Sequence, residues 1–222
     1  MSTDNEHLDS LKEIRSIMER STQFLSLSGL SGVFAGIFAL LGAMAIFLYS
    51  QDFFFARYYA SKGKGVEVFS EGFNLSRATY AALSAGVVVL VLALLVVTLF
   101  TVRNAKRKGV PCWNSTAKRM LINLLIPLVA GGIFSLVLVF HGLIYLLAPV
   151  TLIFYGLALV NASKYTLRDV RYLGLIEIAL GLLSSIFITY SIAVWAFGFG
   201  VMHIVYGLTM YYKYERSNIK PK

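Results

Sequence analysis

The chain has 222 residues, 58% of them hydrophobic and only 14% charged, and a net charge of +9. A soluble domain usually carries about 25% charged residues, so too little polar surface is left to coat a water-soluble globule, and no soluble domain of ordinary size fits between the apolar runs. A net positive charge in a soluble protein would suggest nucleic acid, but here the placement of the basic residues has a topological explanation and no nucleic-acid partner is expected.

In chain order, residues 1–23 form the first unit. Within it Leu8, Leu11, Ile14, Ile17 and Met18 recur at helical spacing among charges, which predicts a short amphipathic helix. Such a helix lies flat against headgroups or docks a partner or a second copy through Leu8–Arg20. Residues 1–20 are too polar for a cleaved signal peptide, so the first apolar run is expected to act as a signal anchor.

A hydrocarbon core about 30 Å thick needs about 20 apolar residues in a helix. Six runs meet that length: 24–49, 77–102, 120–140, 143–162, 172–190 and 192–212. The first carries Ser28, Gly32 and Gly36 at every fourth position, a small-residue stripe that lets two backbones approach. That stripe serves self-association or a neighbouring helix of the same chain. The 50–76 segment that follows reads as an outer loop, with Phe53, Phe54, Phe55, Tyr58 and Tyr59 suited to the headgroup zone and VEVF as a possible short strand.

Residues 103–119, RNAKRKGVPCWNSTAKR, form a basic loop holding Cys112, the single cysteine. No internal disulfide can form. Lys164, Arg168 and Arg171 mark a second basic link, and Lys213, Arg216, Lys220 and Lys222 follow the last run. The tips near His141–Gly142 and Tyr190–Ser191 carry neither Lys nor Arg. Positive charge gathers on the cytoplasmic side, so both termini are expected there, with the 213–222 tail. The fold expected is all-α: a polytopic bundle of six transmembrane helices in three hairpins. Tyr155-Gly156-Leu157 and Tyr206-Gly207-Leu208 stand at matching places 51 residues apart, which suggests an internal repeat of hairpins running in the same sense.

Polar residues within the runs are few. Glu177 shares a helical face with Gly174, Gly181 and Ser184 or Ser185, and a carboxyl in hydrocarbon costs at least about 2.5 kcal/mol. It must face the bundle and find a partner. His203, on a face with Ala196, Gly200 and Gly207, lies at comparable depth and is the candidate. Intramembrane ionisable residues mark pathways, so the pair is either a proton-responsive site or a structural pin. Pro127 and Pro149 fall inside their runs and are expected to kink them, with Asn123 and Thr151 placed to satisfy the freed carbonyls. Asn123 is therefore a third polar candidate, and Ser28, Gly32, Gly36, Gly181, Gly200 and Gly207 are the helix-packing candidates.

The glycine-spaced stretches LGLIEIALGLLSS (173–185) and FGVMHIVYGL (199–208) resemble the HdeD-type acid-resistance membrane proteins of bacteria, and the whole pattern is similar to uncharacterised six-span bacterial inner-membrane proteins. The resemblance implies a three-hairpin fold in the bacterial inner membrane and transfers no catalytic or binding residue. No nucleophile with a base, paired carboxylates, phosphate loop or metal-ligand spacing is present in the sequence, so an enzyme, a metal and a cofactor are not expected. The function expected is that of a non-enzymatic membrane protein acting through lipid or protein contacts, in envelope stress or a larger complex. The alternative is a small proton-linked transporter or channel using Glu177 and His203.

Overall fold

The computed structural model describes residues 28–63, 77–107 and 113–215. The amphipathic segment 8–20, VEVF, Cys112 and the tail beyond 215 lie outside them. All described elements are helical. They are α1 (Gly29–Gly63), α2 (Arg77–Arg107), α3 (Ser115–Phe140), α4 (Leu147–Ala162), α5 (Asp169–Ile186) and a composite α6 over 191–215. Single 3-10 turns at Ile144–Leu146, Ser163–Tyr165 and Ile188–Tyr190 stand at the joints. In α6, an α-helical start (Ser191–Trp195) widens to π-helix over Ala196–Met202, returns to α over His203–Met210 and widens again over Tyr211–Glu215.

Five stretches are long and apolar enough to cross a membrane: Gly29–Leu48, Gly86–Arg107, Ser115–Phe140, Ile144–Tyr165 and Ile188–Tyr214. That set fits a multi-pass integral membrane protein. So does the outer surface, where Leu48, Leu136 and Ile186 stand among many exposed large apolar side chains, far more than a protein in water tolerates. The 172–190 run, expected as a span, is the helix outside this set. Its 18 residues in α5 include Asp169, Arg171 and Glu177.

Two sequence expectations are corrected here. Residues 50–63, read as loop, continue α1 to Gly63. Pro149 does not interrupt a helix. It is the third residue of α4, in the first turn, where a missing N–H is tolerated.

Local signals explain the ends of α3. The Asn114 side-chain oxygen accepts from the Ala117 amide at 2.7 Å, a side-chain cap on an otherwise orphaned N–H. At the other end Gly142 has φ +73°, its amide donates to Val139 O at 3.0 Å and the Leu143 amide to Leu138 O at 2.8 Å. That pairing is a Schellman ending, which needs a left-handed residue that glycine supplies without strain.

Pro127 lies inside α3 and leaves the carbonyl four residues back, that of Asn123, without its helical donor. The Asn161 side-chain amide of α4 donates to that oxygen at 2.8 Å. The role expected for the Asn123 side chain is therefore wrong in detail: its amide donates to Arg119 O at 2.8 Å, and the repair comes from the neighbouring helix. Thr151 likewise bonds Leu147 O and Ala148 O within α4.

Glycine sets how the helices meet. On α4 and α5, a Cβ at Gly156 would lie 2.6 Å from Gly174 O, and one at Gly174 2.7 Å from Gly156 O. At Gly181 a Cβ would sit 2.9 Å from Pro149 O. The stripe on α1 lies against α6: a Cβ at Gly36 would stand 2.6 Å from Gly200 O, and one at Gly207 2.6 Å from Gly29 O. Gly29 thus joins the expected stripe, Ser28 is buried beside it, and the Gly32 position faces Gly207 Cα at 3.3 Å. The neighbour of this stripe is within the chain. α6 is accordingly held between α1 and the α4–α5 pair.

Candidate functional site

The buried face of α5 is Val170, Leu173, Gly174, Glu177, Gly181 and Ser184, a three-and-four spacing that aims every one of them at α4 or α6. Glu177 is the only acid on it and has no exposed surface. It sits eight residues past Asp169, about 12 Å along the helix.

His203 of α6 is twelve residues from either end of the 191–215 helix and is buried. The structure brings it to Glu177, with Nδ1 and Oε1 3.5 Å apart. The same Nδ1 lies 3.1 Å from Gly198 O. A carbonyl only accepts, so Nδ1 carries a hydrogen. In the neutral imidazole Nε2 is then the acceptor, and it faces the Tyr155 hydroxyl of α4 at 2.7 Å. The ring is fixed at both nitrogens, with a phenol on one side and a carboxyl on the other. The π-helical stretch makes this reach possible: its hydrogen bonds run five residues, so Gly198 and His203 stand one turn apart.

Gly198 has a second task. A Cβ there would lie 2.5 Å from Glu177 Oε2 and 2.7 Å from Leu152 Cδ2, so the missing side chain is the space the carboxyl occupies. Neither Glu177 oxygen receives a hydrogen bond among the described residues. The contact to Nδ1 is too long for one but close enough for charge to couple the two groups. An aromatic wall flanks the site. Tyr155 and Trp195 each lie 4.9 Å from Phe199, ring centre to ring centre, and Phe199 stacks on His203 at 5.8 Å. The indole N–H of Trp195 donates to Thr151 Oγ1 at 3.1 Å.

At the base of α5, Asp169 accepts from Lys213 Nζ at 2.7 Å and from the Tyr214 hydroxyl at 3.0 Å. This joins the start of α5 to the end of α6. Among the described residues no three His, Cys, Asp or Glu side chains gather as a metal site would need.

Of the candidates from sequence, Glu177 and His203 come together, while Asn123 stands apart on the α3–α4 contact. Gly200 and Gly207 line the seam of α6 with α1, and Gly181 that of α5 with α4. Ser184 is fully buried on the Glu177 face, and its hydroxyl makes no hydrogen bond among the described residues. His141 caps α3 at the turn, far along the chain from the pair. An open groove of about 720 Å³ runs along α2 past Thr98, Phe100, Arg103 and Lys106, away from Glu177. Sequence reasoning missed Tyr155 and Gly198 as site residues. Tyr155 had been singled out only through the repeated Tyr-Gly-Leu, and the FGFG run at 197–200 was the visible sign of a glycine-lined helix face. Comparison with protein-family models, curated proteins and solved structures gave no match.

Proposed function

We propose that this chain is a non-enzymatic, proton-linked transporter or channel of the bacterial inner membrane, in which Glu177 takes up and releases a proton beside His203. The proposal includes a six-span topology of three hairpins with both termini cytoplasmic, in which α5 crosses as the fifth span despite its charges. The basic residues at 103–119, 164–171 and 213–222 and the uncharged tips at 141–142 and 190–191 support that orientation.

The observation that carries the functional reading is the Glu177 carboxyl, wholly buried with neither oxygen hydrogen-bonded among the described residues. An acid in this position is costly. A helix contact that needed only packing would be served better by an apolar residue of similar size. Facing it is an imidazole, a ring with one nitrogen that donates and one that accepts, held in one orientation by Gly198 O and Tyr155.

Reconstitution tests this. Liposomes holding a pH-sensitive dye and the wild-type protein should admit protons under an imposed gradient, and Glu177→Gln should lower that rate at least about tenfold, the equivalent of about 1.4 kcal/mol on the barrier. Equal rates for the two proteins, or no protein-dependent flux, would contradict the reading.

A second reading, a scaffold working through lipid or protein contacts, draws on the glycine-to-backbone packing along α1–α6 and α4–α5. It predicts no flux from either protein, with copurifying lipid or protein as its positive sign.

A further inference from the structure

The Tyr206 hydroxyl is buried and makes no hydrogen bond among the described residues. Buried tyrosine hydroxyls usually find a partner, and one that does not calls for an explanation. Its position supplies one. Tyr155, Tyr206 and Tyr214 all pack against the same apolar cluster of Leu159, Leu167, Val170, Leu173 and Met210. Along α6 Tyr206 stands three residues past His203 and eight before Tyr214, and it is within electrostatic reach of Asp169, Tyr214 and Tyr155. The two outer tyrosines are both engaged: Tyr155 with His203 Nε2 at 2.7 Å, Tyr214 with Asp169 Oδ2 at 3.0 Å. The one without a partner is the one between.

We infer that Tyr206 is the connecting step of a proton route running from the Asp169–Lys213–Tyr214 cluster, past Tyr155 and His203, to Glu177. This rests on the proton-linked reading above and adds the side from which Glu177 is loaded, the end of the molecule carrying Asp169. A hydroxyl with no fixed bond is free to turn from one neighbour to the other, and it both donates and accepts. The proton arrives on a hydronium ion at Asp169. Each hydroxyl, with water spanning any gap between them, accepts a proton on oxygen as it passes on its own. Tyr155 gives a proton to His203 Nε2 while Nδ1 turns its hydrogen from Gly198 O and, as the 3.5 Å contact to Glu177 closes, passes it to the carboxylate. Only O–H and N–H bonds form and break, one proton enters, and one rests on Glu177.

The ionisable groups around this route come from three elements. α4 brings Tyr155, α5 brings Asp169 and Glu177, and α6 brings His203, Tyr206, Lys213 and Tyr214. α1, packed on the other face of α6, brings none over residues 28–48. Lys213 is paired with Asp169, and Lys164, Arg168 and Arg171 stand within five residues of Asp169 along the chain.

Tyr206→Phe is the test, because the hydroxyl it removes makes no hydrogen bond among the described residues. Proton entry into liposomes should fall at least about tenfold, and the melting temperature in detergent should stay level or rise. Tyr155→Phe should lower the rate as well, and the ¹⁵N spectrum of its His203 should show a changed tautomer balance, since Nε2 loses its donor. If Tyr206→Phe transports like wild type while Glu177→Gln does not, the route is wrong and the proton-linked reading stands. If Glu177→Gln also transports like wild type, the reading itself fails. A Tyr206→Phe protein that loses stability along with rate would show that the hydroxyl holds the fold together, which also overturns the route.

Discussion

α2 and α6 are both long apolar helices, yet they are built for different surroundings. α2 reads VVVLVLALLVV through its middle, and Ala105 is its single buried residue among those of 83–107 whose burial is described. It touches α1 through the Gly42–Val89 approach and the Phe34–Phe100 ring contact at 5.5 Å. α6 reads AFGFGVMHIVYGLTM over 196–210, alternates between α and π, and buries Gly198, Gly200, His203, Gly207 and Met210. Bulky branched residues face lipid at no cost, because lipid is as apolar as they are. Helix association in that solvent depends on close packing and polar contacts. Glycine and a few polar side chains therefore collect where helix meets helix, and the chemistry collects with them.

The same substitution placed in both helices should separate them most sharply. Gly207→Ala puts a methyl 2.6 Å from Gly29 O and 2.7 Å from the Val33 amide nitrogen, and backbone atoms cannot turn aside as a side chain can. A loss of about 1–3 kcal/mol is expected, read as a lower melting temperature in detergent. Gly86→Ala on α2 meets nothing within 4 Å. There the helix propensity of alanine should leave stability level or raise it by up to about 1 kcal/mol. Similar losses at both sites would mean that α2 is packed against something as closely as α6 is.

A smaller effect is expected on the α3–α4 contact. Asn161→Ala removes the donor to the Asn123 carbonyl that Pro127 leaves open, and an unsatisfied buried acceptor costs about 1–3 kcal/mol, toward the low end because the contact is only part-buried. Pro127→Ala restores the helical donor, so in the double variant Asn161→Ala should cost less than it does alone. Strict additivity in this cycle would show that Asn161 does not act on that carbonyl.

How much of this was legible beforehand depends on whether the cause is local. Apolar runs of spanning length and the turn at His141–Gly142 are written in neighbouring residues, and five such stretches are helices long and apolar enough to cross a membrane. The face of α5 that carries Glu177 was readable too, from helical spacing alone. The 50–63 extension of α1 was not, because its aromatics fit an interfacial loop as well as a helix. Pro149 was misplaced for want of the short 3-10 turn at Ile144–Leu146 that moves the start of α4 next to it. Tyr155, Gly198 and Tyr206 matter through what approaches them from other helices, and the π-helical turns that align Gly198 with His203 have no signature in residue spacing. Asn161 belongs with them: a proline announces its own defect, but the residue that repairs it can stand 38 positions away.

The central claim is that Glu177 changes its protonation in place. An infrared difference spectrum between acidic and alkaline samples of the lipid-reconstituted protein addresses it directly, since a protonated carboxyl shows a carbonyl stretch that the carboxylate lacks. A band of this kind that grows as pH falls in the wild type and is missing in Glu177→Gln is the predicted result. A spectrum with no such band over the range in which the protein stays folded, or one in which the band persists unchanged in Glu177→Gln, would contradict the account.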